Sequence, residues 1–268
     1  MLRYALGANE IFQESKSEKV KMKYTYFLIN FFTVLVPFLF SFNQRNQFYK
    51  YFKPFFYANI LTGLLFVLWD AYFTKMKVWG FNPDYISGVY LLNLPLEEVL
   101  FFVCVPFACV FSYHSLKIFY KAKWSAKTEN RIVLLFAIAL FSIGFLYFDR
   151  AYTSVTFISL AFLILVLKYL GRVTWLPQLF TVYPILLIPF FIVNGLLTGT
   201  GLEQPVVWYN NDENLGIRLL TIPVEDVAYG FELILLNVFL FEYFSVRFRS
   251  EEHTSELQSP CNLVCRLL

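Results

Sequence analysis

The 268 residues are 58% hydrophobic, 21% aromatic and 15% charged, with a mean hydropathy of +0.57; this excludes an ordinary soluble domain and places the chain among membrane proteins. A formal net charge of +3, with no Lys/Arg run interleaved with aromatics, excludes nucleic acid as a partner and leaves the basic residues as topology signals. The 33 Phe and 18 Tyr suit lipid-facing surfaces and interfacial belts, and a subset is available to line a cavity for an extended apolar ligand or a carbocation.

Residues 1–21 are polar and mixed in charge, with no apolar segment after a basic start, so they do not resemble a signal peptide; they are set apart as an extension, with Met22 as an alternative start. The first span, 24–42, contains Pro37, and a basic loop with Arg45, Lys50 and Lys53 follows it. The second, 55–73, carries Asp70 near its end. Turn chemistry then dominates at Trp79, Gly80, Asn82-Pro83-Asp84 and Gly88. The third span ends near Tyr113. If it starts late, Asn93 caps it and Pro95 falls in the first turn; if it starts at Gly88, Pro95 kinks it. The late start is preferred, with Thr221 as the equivalent cap before Pro223. After a Lys-rich loop, 117–131, come a fourth span at 132–148 and a fifth at 151–170, joined by only Asp149-Arg150 and therefore antiparallel. The sixth, 180–198, holds Pro184 and Pro189 and finishes at Asn194-Gly195. A Gly-, Asn- and acid-rich loop leads to the seventh, 222–244.

Residues 249–268 read like the translation of a sequencing-adapter run-through and are expected to be a dispensable, disordered tail. His253, Cys261 and Cys265 are therefore set aside as metal ligands. Cys104 and Cys109 are read as packing residues and His114 as interfacial, so neither a metal site nor a cofactor site is expected.

One motif recurs. Leu94-Pro95-Leu96-Glu97-Glu98-Val99 returns as Ile222-Pro223-Val224-Glu225-Asp226-Val227, each at the head of a long apolar stretch. The same offset of 128 residues pairs Asp84 with Asp212, Gly88 with Gly216, and Leu91-Leu92 with Leu219-Leu220; Trp79 and Trp208 correspond after a one-residue gap. The chain thus reads as all-α: a polytopic membrane protein of about seven transmembrane helices, with two parallel three-helix repeats joined by one helix. The expected divisions are 1–21, 22–127, 128–248 and 249–268. With an odd number of spans between them, both acidic motifs lie on one membrane face. The face holding Arg45, Lys50, Lys53, the 117–131 loop, Lys168, Arg172, Arg247 and Arg249 is the more basic and is read as cytoplasmic, against the opposing Lys16 to Lys23 cluster. The motifs then enter from the other leaflet.

Ionised carboxylates are costly in a bilayer, so paired intramembrane acids point to function; the alternative is that each pair caps a helix at the interface. In the first turn of a helix the macrodipole favours the anion, while low dielectric and a like neighbour favour protonation, so one acid of each pair can hold a proton while the other is ionised. That suits a general acid with a counter-ion. Glu97 and Glu225 are expected to face the interior, because Phe101 and Tyr229 follow one turn later. There is no GxGxxG after a strand, no Walker motif, no DDxxD run and no Ser/His/Asp set in the core region.

The duplicated Pro-x-Glu-Glu/Asp helices, the turn-rich loops before them, Asp70 and Asn194 upstream and the seven spans together resemble the membrane-integral lycopene cyclase family over about 24–244. That family occurs as two small subunits in actinobacteria, or as one fused chain in archaea, some bacteria and the cyclase half of fungal bifunctional enzymes; this chain looks like the fused form. The second copy has Glu225-Asp226 in place of two Glu, which keeps the acid chemistry. The resemblance implies an intramolecular lyase or isomerase closing the acyclic ends of lycopene to β-ionone rings, through γ-carotene to β-carotene. An acid protonates the terminal C1=C2 bond, the C5=C6 electrons close the ring, and a proton leaves C6. The candidate catalytic residues are Glu97, Glu98, Glu225, Asp226 and Asp70, and the candidate substrate contacts are Phe101, Tyr229, Asn194, Pro95 and Pro223. The expected partners are lycopene or a related C40 carotenoid, the lipid bilayer, and carotenoid-pathway enzymes or a second copy, in a bacterial cytoplasmic membrane. Two readings stand beside this one: a carotenoid 1,2-hydratase, and a proton-coupled carrier or carotenoid-binding protein without enzymatic activity.

Overall fold

A computed structural model describes residues 23–257, with side chains described up to Ser250. In a bilayer, backbone polar groups must be satisfied within the chain, so the apolar stretches form helices. These are α1 (Thr25–Phe40), α2 (Phe52–Lys75), α3 (Leu96–Phe119), α4 (Ala126–Leu146), α5 (Ala151–Leu165), α6 (Leu176–Leu197) and α7 (Val224–Leu257). A single 3-10 turn, Phe48–Tyr51, leads into α2, and α5 runs on through a wider turn at Val166–Leu170. Six of these helical stretches are long and apolar enough to cross a membrane, and α1, at 16 residues, is a shorter apolar helix.

The α1–α3 unit corresponds to α5–α7, with α4 packed along α5 between the repeats. The motif helices begin at Leu96 and Val224, so the late start is the correct one, but the expected caps are not formed. Asn93 lies in a hairpin turn and donates to the Ala71 carbonyl (2.9 Å), while the Leu96 N–H is taken by the Val89 carbonyl (2.8 Å) and the Val224 N–H by that of Ile217 (3.0 Å). Two short hairpins hold these starts: β2 (Tyr90–Leu91) with β3 (Leu94–Pro95), and β5 (Arg218–Leu219) with β6 (Ile222–Pro223). Between the repeats, β1 (Trp79–Phe81) pairs antiparallel with β4 (Val207–Tyr209), in the register Trp79 to Tyr209, Gly80 to Trp208 and Phe81 to Val207. Matching Trp79 with Trp208 and Gly80 with Tyr209 maps the first two pairs onto each other, as the one-residue gap in the sequence requires.

The repeats are not packed equally. Helix α2 lies along α7 extensively, whereas its counterpart α6 stands off α3. That gap becomes a cavity. At the opposite end of the bundle, contacts such as Asn46 to Ser115, Lys117 to Glu242 and Lys168 to Glu129 (2.7 Å) gather the basic loops, as their common side requires. Across 249–257 the backbone of α7 remains helical, which corrects the disorder expected there; no Gly or Pro interrupts it. The rest of the expected tail, with Cys261 and Cys265, and the 1–21 extension lie outside the described residues.

Candidate active site

Each motif helix starts immediately after its hairpin, so its first-turn acids lie beneath the preceding loop. The first acid of each pair reaches back to that loop. Glu97 Oε1 accepts the Ser87 N–H (2.7 Å), and Glu225 Oε1 accepts the Leu215 N–H (2.7 Å) together with the Thr153 hydroxyl (2.7 Å). Helical side chains lean toward the N-terminus, and a loop N–H buried at that end needs an acceptor. This corrects the expected orientation: Glu97 and Glu225 do not line the cavity, and neither do Pro95 and Pro223, which are buried in the hairpins.

The second acid of each pair faces inward. Glu98 and Asp226 line one cavity of about 620 Å³, together with Asp70, Asn194, Phe101 and Tyr229. On α3 the lining stripe is Glu98, Phe101, Val105, Ala108, Cys109 and Ser112, the spacing of one helical face. Asp70 is 2% exposed, its Oδ2 has no hydrogen-bond partner among the described residues, and it interacts electrostatically with Glu98. Both repeats therefore deliver carboxylates to one space rather than to two. Exposed apolar side chains of α1 (Leu28, Phe32, Val36) and α6 (Ile192) also line it, so it opens sideways between those helices toward lipid.

Buried tyrosines hold the acids. The Tyr26 hydroxyl donates to Glu98 Oε2 (2.5 Å), and its counterpart on α5, Tyr152, donates to Asp226 Oδ1 (2.6 Å). Asp226 receives a second phenol, Tyr209, at Oδ2 (2.9 Å). The first repeat has Gly80 at the matching position, so among the described residues Glu98 has one tyrosine donor and Asp226 has two. Burial and then the Asp226 carboxylate push the Tyr209 phenol well above its ordinary range, so it remains a donor. The rings form a continuous wall: Trp79 lies 5.0 Å from Tyr152 and 6.1 Å from Tyr229, and Tyr152 stacks on Tyr209 at 6.0 Å. The Tyr229 hydroxyl is buried without a partner among the described residues.

Tyr26, Tyr152, Tyr209 and Trp79 were not among the sequence-derived candidates. Tyr26 and Tyr152 are 126 residues apart, so the 128-residue offset pairs Tyr152 with Tyr24 instead, and only the matching starts of α1 and α5 bring the two together. The donor role of Tyr209 depends on the strand pairing between the repeats and has no local signal.

Comparison with known proteins follows the same division. The sequence profile of the family described as Lycopene cyclase matches residues 23–116 and 149–244, the two repeats without α4. A bifunctional lycopene cyclase/phytoene synthase of Neurospora crassa is 47% identical over 51 residues, covering 16% of this chain and 8% of that protein. One of the same description from Aspergillus niger is 33% identical over 45 residues, covering 17% of this chain and 8% of that protein. The matched stretches are thus a small part of those relatives, which are fungal and give no support to the expected bacterial membrane. No solved structure matches the chain. Because the profile covers well over half of the sequence and both repeats, the chain belongs to the lycopene cyclase family.

Proposed function

We propose that the protein closes the acyclic ends of lycopene to β-rings in a redox-neutral, acid-initiated reaction. The observation that carries this reading is the convergence of Glu98, Asp226 and Asp70 in one aromatic-walled cavity that opens toward lipid. A membrane-dissolved C40 hydrocarbon enters between α1 and α6, with its reacting end among the acids.

We assign the proton to the Asp70–Glu98 pair, where Tyr26 donates to Glu98 and Asp70 Oδ2 has no hydrogen-bond partner among the described residues. It passes to C2 of the terminal C1=C2 bond and leaves a cation at C1. The C5=C6 electrons form the C1–C6 bond and move the cation to C5. Loss of the C6 proton to a carboxylate then restores the C5=C6 double bond. Asp226, with two phenol donors, is the anion that balances the charge and accepts that proton. The faces of Trp79, Tyr152 and Tyr229 attract the cation in transit. Proton transfer within the shared cavity returns the proton to the Asp70–Glu98 pair, so the cycle requires no external acid.

Expression in a lycopene-accumulating bacterium, followed by pigment chromatography and mass measurement, tests the reading. γ-Carotene and β-carotene, isomeric with lycopene, are expected. A product heavier by one water would point to hydration of the same cation, and unchanged lycopene with the protein in the membrane would refute the activity.

A further inference from the structure

We infer that the two hairpins preceding the acidic helices are interfacial membrane anchors, with Leu92 and Leu220 at their tips set among lipid acyl chains just beneath the headgroups. The occupant is the glycerolipid boundary layer on the face where the motifs enter.

Both tips carry the same conformational strain. Leu92 has φ 57° and Leu220 φ 60°, at the first residue of a two-residue turn, where glycine, asparagine or aspartate is the usual choice. Leucine at such a position needs a compensating interaction, and the protein interior does not supply it: the two side chains are 69% and 77% exposed. Tyr90, Leu91, Ile217 and Leu219 beside them are also exposed. Lipid burial of the leucines provides the missing gain.

The depth follows from equivalent contacts. The Asn93 amide donates to the Ala71 carbonyl (2.9 Å), and the Thr221 hydroxyl to the Gly195 carbonyl (3.5 Å). Ala71 is one turn inside Lys75 at the end of α2, and Gly195 lies in the last turn of α6. At about 1.5 Å per residue, the Asn93 contact therefore lies about 6 Å along α2 from the Lys75 backbone, and the first tip is within side-chain reach of that level. Interfacial segments typically bury their apolar faces about 5–10 Å deep. Short irregular backbone is excluded from the hydrocarbon centre but tolerated at the interface, and Arg218 holds the second turn by donating to the Thr221 carbonyl (2.8 Å) and to Asn211 Oδ1 (2.9 Å). Both copies of the device, in the two repeats, keep the paired leucines and the same geometry.

The test uses the full chain with Cys104, Cys109, Cys261 and Cys265 replaced by serine, carrying Leu92→Cys or Leu220→Cys labelled with bimane, in phosphatidylcholine liposomes. Asp84→Cys on the exposed loop is the aqueous reference, and Leu64→Cys on α2 is the mid-bilayer reference. Both tip substitutions alter exposed side chains, and monodispersity confirms folding. The expected result is quenching by a nitroxide high on the lipid chain that is several-fold stronger than by one at the chain end, with iodide quenching several-fold weaker than at Asp84→Cys. Iodide quenching equal to Asp84→Cys at either tip overturns the inference. Protection from iodide and from both lipid nitroxides also overturns it, and identifies a second copy of the chain as the occupant.

Discussion

Among the described residues two tyrosine hydroxyls meet the Asp226 carboxylate and one meets Glu98, and the proposed division of labour rests on this difference. Tyr209→Phe removes one donor from the anion. Hydrogen bonds to charged groups contribute about 1.5–3 kcal/mol, so turnover should fall by roughly 10- to 100-fold while the protein accumulates normally. Because the Tyr209 phenol is held above its ordinary value, it stays protonated and donating as pH rises; a pH–rate profile should show no loss attributable to it at or below about pH 10. The first acids behave differently. Glu225→Gln keeps an acceptor for the Leu215 N–H and the Thr153 hydroxyl, and should retain most activity. Glu225→Ala leaves both donors buried and unpaired, and should destabilise the protein by about 1–3 kcal/mol per donor, read as a lower melting temperature in detergent. The sequence displayed both acid pairs but not their orientation. Phe101 is a one-turn neighbour of Glu97 and of Glu98 alike, so spacing alone cannot choose between them; the choice was made by the buried N–H groups of Ser87 and Leu215.

At the scale of elements, the helices were legible because a bilayer imposes long apolar runs, and Asp149-Arg150 correctly joined α4 to α5. The strands were not. The hairpin strands are two residues long, their turns start at Leu92 and Leu220, and no Asn-Gly or Asp-Gly marks them. The β1–β4 ladder joins residues far apart in sequence, and only Gly80 hints at it: a Cβ there would lie 2.4 Å from the Trp208 ring. Helix α7 is longer than a membrane needs. Its 34 residues span about 51 Å at helical rise, against a hydrocarbon core of about 30 Å, so its last turns project beyond the lipid. Truncation after Ser250 should leave membrane insertion and pigment formation at wild-type levels; loss of either would give those turns a structural role.

For the molecule as a whole, the duplication and the basic side could be read from Lys, Arg and motif positions, but the number of sites could not. Two repeats with two acid pairs are equally compatible with two separate sites. The packing is unequal: α2 closes against α7, α6 leaves a gap beside α3, and Glu98 and Asp226 line one cavity with Asp70, which is the arrangement the proposed joint site rests on. A joint site implies that each repeat supplies a part of every ring closure. Removing a general acid typically lowers rate by about 10²- to 10⁴-fold, and removing the anion in the same cavity should stop the same step. The most direct measurement is pigment analysis of Glu98→Gln and Asp226→Asn, expressed separately in a lycopene-accumulating host, with immunoblotting of the membrane fraction. Each variant should leave lycopene unconverted and form no γ-carotene, while Glu97→Gln still makes β-carotene. Accumulation of γ-carotene in only one of the two variants, or wild-type β-carotene in both, would contradict the single shared site.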